Sequence, residues 1–294
     1  MGVVPAGAQQ SPAPERERPD SLTVMTYNVL YATPDEATVR AIEAADPDIV
    51  ALQEVSEPRL RHIARELGYY FHHHGEHEAS GANDTGLLSR YPISLVGRYG
   101  ATIYLTVNDP IYVANVHLTP YPYEPYELRD GKIGPDEAVA QARYTRFPQI
   151  QPVLERLDEP LQRGSPVVLM GDFNEPSHLD WTADAAAAGL HLGMEVDWPT
   201  SQEIMRHGFQ DAYRAVHTDE VARPGPTWTT LQGDPNEVHD RIDMIYVAGA
   251  DVDIVDAYTV GLRNAPPTDV SVAGYPSDHR AVVATMTWTP DPDQ

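Results

Sequence analysis

Apolar and polar residues alternate along this chain in short blocks. Residues 167–170, Val-Val-Leu-Met, are continuously apolar between Pro166 and Gly171, the pattern of a strand buried on both faces. Similar runs lie at 23–29, which ends in Asn28-Val29, and at 49–55, which carries one carboxylate, Glu54. Residues 102–107 and 111–118 flank Asn108-Asp109-Pro110 and predict a β-hairpin. Residues 241–247 alternate, with Arg241 and Asp243 on one face and Ile242 and Met244 on the other, and 281–286 predict a closing strand. Shorter runs at 87–90 and 93–96 bracket the turn at Tyr91-Pro92, and 225–229 reads as a turn entering a strand.

Between these runs the period lengthens. Residues 36–45 predict a helix that stops at Asp46-Pro47, and 58–67 place Leu60, Ile63, Ala64 and Leu67 on one helical face. Residues 136–157 are helical in pattern but contain Pro148 and Pro152, which predicts a kinked helix or two short ones. An alanine-rich helix is expected over 180–188. Strands alternating with helices along the whole length predict an α/β sandwich, and no internal repeat interrupts the pattern.

Composition narrows the class. The 294 residues are 41% hydrophobic and 22% charged, enough for one large α/β domain over residues 21–290. Residues 1–20 hold Pro5, Pro12, Pro14 and Pro19 among polar residues without periodicity and predict a disordered leader. Its Ala6-Gly7-Ala8 has the small-x-small form of a signal-peptidase site, so the expectation is either a secreted protein with a trimmed signal or a cytoplasmic one with an ordinary flexible terminus. No stretch is long and apolar enough to span a membrane as a helix. With 20 basic against 44 acidic residues, a net charge of −24, the surface repels nucleic acid unless a local patch reverses the sign. No cysteine is present, which excludes disulfides, thiolate nucleophiles and Cys-based zinc sites.

Candidate chemistry gathers where strands end. Asp172 and Asn174 follow the 167–170 run two positions apart, so on extended chain they point the same way; as a tetrapeptide Gly171-Asp172-Phe173-Asn174 reads equally as a turn. Asn28, Glu54, His117 and Asp243 close four further strands, and Asp278-His279 opens the last. His117 alone reads as a phosphate contact or a satisfied core histidine. Oxygen donors such as Glu54 and Asp278, without sulfur, suit Mg²⁺ or Mn²⁺, and an adjacent Asp–His supplies an orienting or proton-moving group. Two other segments stand out. His72-His73-His74-Gly75-Glu76-His77-Glu78 reads as a polar loop, by default solvated surface and otherwise an imidazole metal site. Tyr121-Pro122-Tyr123-Glu124-Pro125-Tyr126 reads as a packed surface loop or as the wall of a substrate pocket.

Taken together, Thr26-Tyr27-Asn28-Val29, Leu52-Gln53-Glu54-Val55, Asn115-Val116-His117-Leu118, Gly171-Asp172-Phe173-Asn174, Arg241-Ile242-Asp243 and Ser277-Asp278-His279 resemble, in order, the motifs of the endonuclease/exonuclease/phosphatase superfamily, the DNase I-like phosphoesterases. The resemblance covers nearly the whole chain after the leader. It implies a four-layer α/β sandwich in which two packed, mostly antiparallel sheets are flanked by helices, with a divalent-metal site at one end. By the same resemblance Glu54 would be the principal Mg²⁺ ligand with Asn28 and Asp278 beside it, Mn²⁺ and Ca²⁺ being further candidates. Asp172 would activate the attacking water, Asn174 would align it with the phosphate, and His279 paired with Asp243, together with His117, would face the phosphoryl oxygens. Family members support the His117 equivalent with an acidic residue; here Asn83 and Asp84 are adjacent and the partner stays unassigned.

The expected activity is divalent-metal-dependent phosphoester hydrolysis by a monomer, on a small or lipid-like phosphodiester. A DNase-like nuclease is the first alternative; a phosphomonoesterase or a non-catalytic binding module on the same fold is the second. Duplex DNA is disfavoured because the basic residues are few and scattered. The densest groups, Arg59, Arg61 and Arg65, and Arg143 with Arg146, lie on predicted helices among acidic neighbours.

Overall fold

Continuous apolar strands are explained by a sheet that is covered on both sides, and the computed structural model, which describes residues 17–74, 84–94, 96–230, 236–249, 251–263 and 268–288, contains two such sheets. In chain order the elements are β1 (Ser21–Asn28), α1 (Asp35–Ala45), β2 (Ile49–Gln53), α2 (Glu57–Leu67), β3 (Tyr70–His73), β4 (Gly86–Ser89), β5 (Ile93–Ser94), β6 (Gly100–Tyr104) and β7 (Pro110–His117). They continue with α3 (Glu124–Arg129), α4 (Pro135–Thr145), α5 (Phe147–Gln162), β8 (Val167–Asp172), α6 (Ala183–Ala187), α7 (Pro199–Arg206), β9 (Gln210–Asp211) and α8 (Ala212–Val216). The last four are β10 (Asp243–Ala248), β11 (Val252–Gly261), β12 (Val270–Ser271) and β13 (Ala281–Trp288). One sheet has the order β12-β11-β13-β1-β2-β4-β3 and the other β5-β6-β7-β8-β10-β9. The parallel pairs are β1–β2, β7–β8 and β11–β12; the remaining pairs are antiparallel.

Alternation within each strand builds the four layers. Val24, Ile49 and Ala51 of the first sheet meet Val113, Val168, Met170 and Ile245 of the second in the core between the sheets. Their neighbours point outward: Met25, Val50 and Leu52 pack under α1 and α2 with Ile42 and Ile63, and Ala114, Leu169 and Tyr246 pack under α5 and α7 with Ile150, Leu154 and Ile204. At the far end Trp288 Nε1 donates to Pro19 O (2.7 Å), and Arg18 lies over the Trp288 ring. The rest of the expected leader, 1–16, lies outside the described residues.

Several elements differ from the sequence expectation. The helical stretch after 135 divides at Arg146, so Pro148 falls in the first turn of α5, where its missing N–H has no intrahelical acceptor, and Pro152 sits inside α5. The alanine-rich helix begins only at Ala183, capped by Thr182 Oγ1, because Asp180 and Trp181 are held elsewhere by side-chain bonds. His72 and His73 belong to β3, paired with β4, and not to a polar loop; 75–83 lie outside the described residues. Residues 225–229 form no strand beyond single bridges at Trp228, and 124–129 form α3 where a loop was expected. The ten-residue β11 was not apparent, since Asp253, Asp256 and a bulge between Ile254 and Asp256 break its alternation.

Candidate active site

Sheet register aligns the chemistry. In the second sheet His117, Asp172 and Asp243 are opposed across three adjacent strands, and in the first Asn28 is opposed to Gln53, the residue before Glu54. Parallel pairing of β7 with β8 at this end needs a residue without Cβ at position 171: an added Cβ would sit 2.0 Å from Val116 O. Immediately past their strands Glu54 (φ 58°) and Asn174 (φ 50°) adopt the left-handed region, which turns each out of its sheet at some backbone cost, as functional positions often do.

Asn28 joins the two sheets. Its Nδ2 donates to Glu54 Oε1 (3.1 Å) and Asp172 Oδ2 (3.0 Å), while its Oδ1 accepts from Leu30 N (3.1 Å). Carboxylates only accept and Leu30 N only donates, so this network fixes the amide orientation and turns the nitrogen, not the oxygen, toward the acids. Asp172 is buried, and its Oδ1 accepts from Asn174 N (2.9 Å). Burial and the charge of Asp243 push its carboxyl upward, against the pull of His279 and His117, each 3.8 Å away. The Asn174 side chain donates to Leu118 O (2.9 Å), which ties the two strand ends together.

Both histidines have an acidic partner behind them. Nδ1 of His279 donates to Asp243 Oδ2 (2.8 Å), and Nδ1 of His117 donates to Asp84 Oδ2 (2.9 Å), so in each ring Nε2 is left for the pocket. Burial works against a charged imidazole at both positions. The surrounding carboxylates outweigh it, Asp243 and Asp172 raising His279 to about 10 and the Asp84 bond with the Asp172 charge raising His117 to about 8. Asp84 itself is buried, yet His117 holds its carboxyl below the usual range, and it also accepts from the Tyr31 hydroxyl. The acidic partner left unassigned between Asn83 and Asp84 is therefore Asp84; Asn83 lies outside the described residues. Two hydroxyls support the site further, that of Thr227 without a signal in the sequence. Thr227 Oγ1 accepts from the backbone N of both Ile242 and Asp243 (3.0 Å each), and Ser277 Oγ donates to Asn28 O (2.6 Å) while accepting from His279 N (3.0 Å).

These groups line one end of a cavity of about 330 Å³, within the range of small-ligand pockets. Glu54, His117, Asp172, Asn174, Asp278 and His279 form its polar end, whereas Tyr31, Tyr121, Tyr123, Tyr126, Trp228 and Ile242 form the rest with Pro120. Asp243 stands behind His279 and Asn28 behind Glu54. The segment 121–126 is thus a pocket wall. Arg146 holds it from beneath: fully buried, its NH1 donates to Thr119 O (3.1 Å) and Pro122 O (2.8 Å), it pairs with buried Glu124, and Glu175 lies 3.5 Å from Nε. Arg146 is accordingly no part of the surface charge, nor is Arg241, which is enclosed by Asp180 and Asp211.

A divalent cation fits this donor set. Among the described residues Asp172 and Asp243 form ion pairs with imidazoles alone, Glu54 and Asp278 form none, and Asp278 Oδ1 and Asp243 Oδ1 are buried without a hydrogen bond. Asp172, Asp243 and His279 offer ligand atoms within 4.8 Å of one another. Nδ1 of His279 carries the proton that it donates to Asp243 and so offers a cation no lone pair, and this trio reads better as a proton-holding pair beside a base, leaving the oxygens of Glu54 and Asp278 for the cation.

Residues 25–279 match the family model described as the Endonuclease/Exonuclease/phosphatase family. An uncharacterized protein of Caenorhabditis elegans is 28% identical over 92% of this chain and 92% of its own length. Among solved structures, D. rerio TDP2 complexed with single strand DNA product superposes with a TM-score of 0.57 at 18% identity, over 92% of this chain and 100% of that one. An AP endonuclease from Archaeoglobus fulgidus gives 0.56 at 20%, over 90% and 98%. At these identities the structural likeness speaks for the fold.

Proposed function

Because the chain belongs to the Endonuclease/Exonuclease/phosphatase family of metal-dependent phosphoesterases, we propose that it hydrolyses phosphodiesters and that its substrate is a small or lipid-like diester, not duplex DNA. The observation that carries this reading is the pocket itself, in which Asp172, two imidazoles each backed by a carboxylate, and the carboxylates of Glu54 and Asp278 meet an aromatic wall in a cavity of about 330 Å³.

Glu54 and Asp278 would hold Mg²⁺ or Mn²⁺, with Asn28 orienting Glu54 through its amide nitrogen; bound there, the ion would neutralise phosphate charge. Asp172, its carboxyl raised by burial and fixed by Asn28 and Asn174 N, accepts the proton of the attacking water. Nε2 of His279, and of His117 across from it, donates to phosphoryl oxygens as charge builds in the transition state, while Asp243 and Asp84 keep the two imidazoles protonated. Asn174 holds the nucleophile's base in line by its backbone N–H. Against a duplex stand the −24 net charge and the burial of Arg146 and Arg241, which removes two cations from an already small surface stock.

The test is turnover of purified protein on a panel of phosphodiesters and phosphomonoesters with Mg²⁺, Mn²⁺ or Ca²⁺. Activity should vanish with chelator and return with Mg²⁺ or Mn²⁺, and Glu54→Ala should weaken metal activation most. Full turnover after exhaustive metal removal would defeat the metal assignment. TDP2 and the AP endonuclease keep a nuclease reading in view. Plasmid nicking at low nanomolar enzyme, lost steeply on adding salt, would select it over the small-diester reading.

A further inference from the structure

Beyond the polar end of the pocket, five aromatic rings meet the cavity, and their polar edges are mostly tied away from it. The Tyr31 hydroxyl donates to Asp84, Tyr123 OH donates to Asp240 Oδ2 (2.8 Å), and Trp228 Nε1 donates to Tyr126 OH (3.3 Å). The Tyr123 and Tyr126 rings pack edge to face at 5.0 Å, and Trp228 leans on His279 at 4.8 Å, so ring positions are set before any ligand arrives. Two rings at the mouth are far from buried: Tyr31 is 58% exposed and Tyr121 71%. Large exposed aromatics beside a charged site offer faces for stacking, and among the described lining residues only Ile242 is a branched aliphatic of the kind an acyl chain would pack on.

Resting on the phosphodiesterase reading above, we infer that one ester group of the substrate is a flat aromatic or heteroaromatic ring, stacked at the mouth on Tyr121 and Tyr31, and not an alkyl or acyl chain. A ring loses little conformational freedom on binding and can lie flat on an exposed tyrosine face. A flexible chain of equal size gives up its rotamers and meets Ile242 alone among branched aliphatic lining residues. Position also favours a ring. Trp228 touches His279, so a group stacked along this wall stays continuous with a phosphate held at the imidazole end.

The experiment is calorimetric binding of diphenyl phosphate and dihexyl phosphate, which carry equal numbers of carbon atoms, to the wild-type protein with Mg²⁺. Simple hydrophobicity favours the dihexyl ester. Stacking favours the diphenyl ester by at least about tenfold in Kd. Tyr121→Ala should weaken the diphenyl ester by about tenfold and the dihexyl ester much less, and Tyr121→Trp should restore the aryl preference where Tyr121→Leu does not. Equal or tighter binding of the dihexyl ester, an equal loss for both ligands in Tyr121→Ala, or no binding of the diphenyl ester overturns the inference. Binding needs no turnover, so the two readings fail separately: aryl-selective binding without hydrolysis of any diester sinks only the enzyme reading, and hydrolysis without aryl selectivity sinks only this one.

Discussion

Asp84→Asn keeps the shape of the side chain behind His117 and removes its charge. Burial alone would depress the His117 imidazole; the Asp84 hydrogen bond, then the charges of Asp172, Asp84 and Glu54, raise it instead from 6.5 to about 8. The rise to about 8 corresponds to a net of about 2 kcal/mol favouring the charged ring in the folded state, the carboxylates' combined pull less the burial that opposes it. The sign follows from the direction. A histidine raised by folding contributes stability that is fully present below about pH 6.5 and is lost as pH rises through about 8. Asp84 is held below its usual range and stays ionised across that window. The variant should therefore lose more stability at pH 6 than at pH 9, by on the order of 2 kcal/mol. Two measurements check it in chelator: denaturant unfolding at both pH values, and the NMR titration of the His117 ring, whose midpoint should fall from about 8 toward or below 6.5. A midpoint displaced by less than about 0.3 unit, or a loss of stability equal at both pH values, would refute the reasoning.

Three other outcomes are expected. Asp172→Asn should lower kcat by about a hundredfold or more with little change in unfolding midpoint, since the shape is kept; a loss within about threefold, only ~0.7 kcal/mol, would show that another group takes the water's proton. His279→Ala and Asp243→Ala should be strongly non-additive, the double variant costing little more than His279→Ala alone because the 2.8 Å bond makes them one unit, and fully additive losses would count against the pairing. Arg146→Met should destabilise by about 3–5 kcal/mol, with Glu124→Gln added in the same chain recovering part of it; a loss below about 1 kcal/mol would mean the buried carboxylates find another partner.

How far such positions could be read from sequence depended on whether the local pattern reports depth. β8 announces itself because both faces are covered, so every position from Val167 to Met170 is apolar, and Asp172 is conspicuous as the first charge after it. Asn28, His117 and Asp243 stand out for the same reason. Asp84 does not, since it lies two residues before the short strand β4 and adjoins a polar stretch. Its place becomes visible only from the antiparallel pairing of β4 with β2, which sets its carbonyl on Val55 N (3.0 Å), beside Glu54. Arg146 shows the opposite failure. A formal charge in a polar neighbourhood reads as surface, and nothing local tells that Glu124 and Glu175 converge on this guanidinium from other segments. Segment 121–126 misled through its prolines. Pro125 reads as a mark of irregular chain but stands in the first turn of α3, where proline is at home.

Asn28 shows what the meeting of the two sheets requires chemically. Glu54 comes from one sheet and Asp172 from the other, and the only described side chain that donates to both is the amide at 28. Asn28→Asp is nearly isosteric but replaces that donor by a third carboxylate about 3 Å from two others. At an effective dielectric constant of about 20 each close pair would repel by roughly 5 kcal/mol, more than it costs to keep one carboxyl protonated, so protonation sets the limit. Holding an acid of ordinary pKa near 3.9 neutral at pH 7 costs about 4 kcal/mol, and the cost falls to near zero by pH 4. The variant's folded-state carboxyl is raised, so its penalty grows with pH, opposite in sign to that of Asp84→Asn. Mg²⁺ should recover part of the stability at pH 7, because the added negative charge strengthens a site for a hard cation, whereas Asn28→Ala should lose stability with little dependence on pH. Unfolding midpoints at pH 5 and pH 7, each with chelator and with Mg²⁺, distinguish the cases. If Asn28→Asp were destabilised equally at both pH values and were indifferent to Mg²⁺, the amide would not be the donor that lets two carboxylates from separate sheets stand together.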